Sequence, residues 1–124
     1  MRTIAISGAL LALLCVTSSD GLAAARAAKR QLWGAIAYHS GTGAFGYAVD
    51  RSSKRDAEAE AFRQCGGDCD QVHSFRNNCG ALAAKDRRFS WSLGATRAIA
   101  EQSALRKCAD GACKIAVWAC TSQK

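Results

Sequence analysis

SKRDAEAEAFRQC (residues 53–65) and TRAIAEQSALRKC (residues 96–108) are two versions of one segment, set 43 positions apart with no gap. Ala57, Glu58, Ala61, Arg63 and Cys65 fall on Ala100, Glu101, Ala104, Arg106 and Cys108. Working outward, Gly34-Ala35-Ile36-Ala37 matches Gly80-Ala81-Leu82-Ala83, Phe45 and Tyr47 match Phe89 and Trp91, His73 falls on Val117, and Cys69 falls on Cys113. A chain that states one motif twice is expected to fold as two copies of one unit.

Each copy reads as β-β-α-β. Residues 32–39 are apolar and small, the stretch 40–43 holds Gly41 and Gly43 for a tight reversal, and residues 44–49 alternate with Phe45, Tyr47 and Val49 on one face. The helix in 53–65 has Ser53 as N-cap and Asp56 three positions on. Ala57, Ala61, Phe62 and Cys65 recur at helical spacing as the expected buried stripe, and Gly66-Gly67 ends the helix. A strand is expected over 69–75. The second copy repeats the order: strands over 79–84 and 89–93 around the charged turn 85–88, a helix capped by Thr96 with stripe Ala100, Ala104, Leu105 and Cys108, and a last strand over 113–119. Trp33, Tyr47, Trp91 and Trp118 are assigned to the core. The fold class is α+β: duplicated β-β-α-β units forming one domain with six mainly antiparallel strands and two helices, stabilised by disulfides.

The first residues read as an export signal. Arg2 supplies a positive start, residues 4–16 are mostly apolar but short for a bilayer, and cleavage after Ala25 or Ala27 leaves alanines at the right positions. An uncleaved anchor and a lipid attachment at Cys15 are the alternatives. Residues 1–27 are assigned to the signal and 28–124 to the duplicated domain. The mature chain then has no transmembrane segment and lies in the periplasm or outside the cell.

Six cysteines remain: Cys65, Cys69, Cys79, Cys108, Cys113 and Cys120. An even number in a small exported domain points to disulfides. The repeat suggests one local bridge per copy, Cys65–Cys69 and Cys108–Cys113, leaving Cys79 and Cys120 to pair and tie the two copies together. On the chain-entropy model the short loops contribute about 2 kcal/mol each and the long one about 4. Zinc is the alternative use of thiolates, but paired C-x-x-C knuckles are missing. No cofactor is expected.

The strings Trp33-Gly34-Ala35-Ile36-Ala37-Tyr38, Gly43-Ala44-Phe45-Gly46-Tyr47, Phe75-Arg76-Asn77-Asn78-Cys79-Gly80-Ala81-Leu82-Ala83 and Val117-Trp118-Ala119-Cys120 resemble the bacterial secreted family named domain of unknown function 4189. The resemblance spans nearly all of residues 32–120. It implies export and this duplicated fold, and it brings no reaction or catalytic residues with it.

Two histidines, His39 and His73, are the candidates for acid–base work, and neither sits in a recognisable catalytic motif. Glu58 and Glu101 are repeat-equivalent helix positions, read as solvated faces. The chain carries 17 Lys and Arg against 10 Asp and Glu, a net charge of +7. Arg51, Lys54 and Arg55 cluster at the entry to the first helix, and Lys85, Arg87 and Arg88 in the second hairpin turn. Such surfaces attract anionic partners. The expected function is a non-enzymatic exported binding module whose partner is a protein or an anionic envelope or host component, not a specific nucleic acid. The alternatives are an inhibitor or protective protein acting on a cell-wall hydrolase, and a hydrolase using His73 or His39.

Overall fold

The computed structural model describes residues 31–108 and 111–122. The export-signal reading and Cys15 lie outside the described residues. Eight elements follow in order: β1 (Trp33–Tyr38), β2 (Phe45–Arg51), α1 (Lys54–Gln64), β3 (Gln71–Arg76), β4 (Cys79–Lys85), β5 (Arg88–Gly94), α2 (Arg97–Lys107) and β6 (Lys114–Cys120). The first copy forms a sheet of order β2-β1-β3 and the second a sheet of order β5-β4-β6. All four strand pairings are antiparallel. The six antiparallel strands and two helices expected from the repeat are present, and each copy keeps its strands to its own sheet.

Four layers result, with a helix outside each sheet and the sheets face to face. The central strands decide this because both of their faces are buried. Along β1, Ala35 and Ala37 pack with Ala57 and Ala61 of α1, while Ile36 and Tyr38 point to the other sheet. Along β4, Ala81 and Ala83 meet Ala100 and Ala104 of α2, while Leu82 points to the first sheet. Alanine on both sides lets each helix lie close to its sheet, and larger side chains fill the wider gap between sheets. Ser53 and Thr96 cap the helices by accepting the backbone N–H of Asp56 and Ile99. Gly66 and Gly67 take φ of 103° and 81° and return their N–H groups to Arg63 and Phe62, closing α1 as a Schellman motif.

Three expectations are corrected. Phe62 and Leu105 are not in the helical stripes; they are exposed, because Ala61 and Ala104 face the sheet and the next residue turns about 100° away. Tyr47 and Trp118 are not core residues: Tyr47 is 47% and Trp118 38% exposed, and the Arg97 guanidinium covers the Trp118 ring at 3.8 Å. The Cys79–Cys120 bridge does not tie the copies together. It joins directly opposed residues of β4 and β6, inside the second sheet. Cys65–Cys69 and Cys108–Cys113 span the helix-to-strand turns. The copies are held to each other by the inter-sheet core and by hydrogen bonds from Ser122 N–H and hydroxyl to Asp50.

Candidate functional site

The inter-sheet gap is closed on one side and open on the other. On the closed side β5 lies over β3. Trp91 stacks on His73 with ring centroids 4.9 Å apart and packs against Phe75 at 6.0 Å, and Phe89 meets Tyr38. Glycines make room for these rings: a Cβ on Gly34 would stand 2.5 Å from the Phe75 ring, and one on Gly80 would run into Trp91. On the open side β2 lies over β6, and a groove of about 410 Å³ runs between them. Phe45 (48% exposed) and Tyr47 are its wall, together with Val49.

The repeat explains the difference. Phe45 and Tyr47 correspond to Phe89 and Trp91, but the opposing strand changes: Val117 and Ala119 stand where the first copy has His73 and Phe75. Two smaller side chains leave the gap unfilled. The groove contributions also differ in kind. From β2 come alternate residues of one face, but from β6 come five consecutive residues, Ala116 to Cys120. The β4–β6 register shifts at Ala116, so Ala116 and Val117 both pack toward the inter-sheet gap. Beyond the bulge Val117 and Ala119 face the gap and Trp118 points away, and the groove follows the edge of β6 under the face of β2. Asp50, held by Ser122, stands at one end.

At the other end the fold gathers cations. Lys85 is opposite Arg88 in the β4–β5 hairpin, and Lys114 is opposite Ala84 at the start of β6. The end of α2 arrives at the same place, Cys108 Sγ lying 3.9 Å from the Ala83 carbonyl, which brings Arg106 and Lys107 with it. These five and Arg87 are all exposed. Arg106, Lys107 and Lys114 were not singled out in the sequence, where they stand 18 or more positions beyond Arg88. The other sequence cluster is not joined to this one. Arg51 and Arg55 lie at the opposite end of the strands, Arg51 Nη2 is 3.9 Å from Glu60, and Lys54 is 3.9 Å from Glu58. Glu60 also accepts hydrogen bonds from Arg63 and Gln64, which hold its carboxyl down at about 2.

The histidines do not assemble a catalytic set. His39 Nδ1 accepts the backbone N–H groups of Gly41 and Thr42 at 3.1 Å, and its Nε2 is 3.9 Å from Asp68. Ser40 beside it donates its hydroxyl to Asp70, not to the imidazole, and this bond lowers the Asp70 carboxyl below its ordinary value, the reverse of what a general base needs. His73 Nε2 is 3.2 Å from Gln71 Oε1, and burial pushes its pKa down.

A family model described as "Domain of unknown function (DUF4189)" matches residues 33–120. The chain belongs to this family. Protein Rv1269c of Mycobacterium tuberculosis is similar, 43% identical over 90 residues that cover 72% of this chain and 69% of its own length. Uncharacterized protein Rv1813c of the same organism is 35% identical over 88 residues, 71% of this chain and 59% of its own. The NMR structure of Rv1813c superimposes with a TM-score of 0.61 at 27% identity, covering 97% of this chain and 94% of that one. DUF4189 membership thus carries the fold and no activity. The disulfides are compatible with an exported protein, and no helix among the described residues is long and apolar enough to cross a membrane.

Proposed function

We propose that this DUF4189 protein is an exported binding module, periplasmic or extracellular, that engages an anionic partner through the basic end of its second copy. The observation that supports it is the gathering of Lys85, Arg87, Arg88, Arg106, Lys107 and Lys114 from a hairpin, a helix terminus and a strand onto one end of the molecule. Clustered exposed cations attract polyanions, with an affinity that falls as salt rises. Arg51 and Lys54 lie outside this gathering, each 3.9 Å from a carboxylate of α1. The bridges suit an extracellular setting, where thiols stay oxidised and a small core needs covalent support.

Retention of the oxidised protein on a polyanionic resin, read against salt, tests this. The native protein is expected to be held at low salt and released at high salt. Lys107→Glu with Lys114→Glu is expected to elute much earlier, and Lys54→Glu with Arg55→Glu, which changes net charge by the same amount, to elute nearly as the native protein does. Equal shifts for both would show net charge acting without a site, and the reading would fail.

A further inference from the structure

We infer that the groove between β2 and β6 is a strand-addition site, and that its occupant is an extended acidic polypeptide segment. This rests on the anionic-partner reading for the sign of the charge and goes beyond it in naming the class of partner and the mode of binding.

Three features combine. First, β6 is the outer strand of the order β5-β4-β6, so half of its backbone N–H and C=O groups turn away from β4. The groove is lined by five successive residues of this strand, of which Trp118 is exposed while Val117 and Ala119 are buried toward the gap. A peptide laid there extends the second sheet to a fourth strand and gains main-chain hydrogen bonds independent of its own side chains. Second, the position of that strand is roofed. Phe45 and Tyr47 of β2 overhang it, each about half exposed, where their counterparts Phe89 and Trp91 are covered by rings of the same chain. Alternate apolar side chains of a guest supply what His73 and Phe75 supply on the closed side. Third, the groove has a charged end. A guest that continues the antiparallel pattern of the second sheet runs opposite to β6 and brings its C-terminal side to Lys114, the direction that the cations there favour for a guest with terminal carboxylates. Lys107 and Arg106 are beside that point. The guest is therefore a segment with apolar residues at every second position and carboxylates at its C-terminal end. A lipid surface fits less well, because a groove along a strand edge offers hydrogen bonds in a row, which a bilayer does not use.

The test uses the full oxidised protein and three synthetic peptides of about eight residues. One alternates valine and threonine and ends in aspartates. The second ends in serines instead. The third keeps the aspartates but is N-methylated at alternate backbone nitrogens, which removes strand hydrogen bonds without changing charge. The first is expected to bind at least about tenfold more tightly than either of the others, and to shift and protect the backbone amides of residues 115–119 in NMR. Ala119→Phe, which fills the groove, and Tyr47→Ala, which removes its wall at an exposed position, are each expected to weaken that peptide while leaving retention on a polyanionic resin unchanged. If the N-methylated peptide binds as well as the first, or both variants bind it like the native protein, strand addition is overturned and the anionic reading stands. Binding to vesicles of anionic lipid with none to the peptide overturns it as well. Loss of resin retention together with all peptide binding overturns both.

Discussion

The two sides of the inter-sheet gap start from one sequence plan and finish differently. Under β5, His73 and Phe75 meet Trp91 and Phe89, and the gap is packed. Under β2, Val117 and Ala119 face Tyr47 and Phe45, and a groove remains. The facing residues hold equivalent places, His73 opposing Ile36 and Val117 opposing Leu82, Phe75 opposing Gly34 and Ala119 opposing Gly80, but β6 is bulged at Ala116 where β3 is regular. The lesson is that two equivalent contacts between the copies can diverge: the β3–β5 contact carries the packing, while the β2–β6 contact leaves aromatic surface exposed.

The largest effect that sharpens this comparison is expected at the strand bordering the groove. The Cys79–Cys120 bridge pins β6 to β4 across a separation of 41 residues. Replacing both cysteines with serine is expected to cost about 4 kcal/mol, against about 2 for Cys65 with Cys69, measured by thermal or denaturant unfolding under oxidising conditions. Comparable losses would show that the edge of the groove needs no special support.

Truncating the facing aromatics comes next. Trp91→Ala leaves a void among His73, Phe75 and Gly80 and is expected to cost about 2–3 kcal/mol, whereas Tyr47→Ala is expected to cost under about 1. Chemical denaturation of the two variants measures the contrast directly, and equal costs would erase the distinction between a packed and an open side.

A pH effect should arise at His73 on the closed side. Burial lowers the His73 pKa from its ordinary 6.5. The folded state therefore resists a proton that the unfolded chain accepts below 6.5, so stability is full above that value and falls as pH drops toward the folded pKa. His73→Gln is expected to flatten the melting temperature between pH 7 and 5. Glu60 adds a separate loss at lower pH, between its ordinary 4.5 and about 2, because its carboxylate is favoured in the fold. The two windows are distinguishable in one titration.

The smallest effect is the most pointed. Ala119→Phe restores the first copy's residue at the open side. Ala119 is itself buried, so the ring is expected to cost about 1 kcal/mol, the low end for a small-to-large change, because it can extend into the groove, read as reduced solvent exposure of Tyr47 by fluorescence quenching. A loss of several kcal/mol would mean that the space is already packed in solution.

Much of this fold was legible before any coordinates. Ser53 and Thr96, the paired glycines at 66 and 67, and the alternation in 45–49 act within a few residues of themselves, so their consequences are local. Phe62 and Leu105 misled because helical spacing alone does not say how wide the buried stripe is; the close alanine contact narrowed it. The groove was half legible. The substitution of Val117 and Ala119 for His73 and Phe75 stands in the aligned repeats, but its meaning waits on knowing that β2 overhangs β6.

By itself the sequence determined the repeat, the order of the elements, the helix ends and the family, because these follow from neighbours in the chain. Tertiary structure decided which sheet holds the long bridge, which aromatics face water, and that Arg106, Lys107 and Lys114 join the hairpin cations. Those outcomes depend on how two finished layers stack, and stacking is set by side-chain volumes meeting across a gap between residues far apart in the chain.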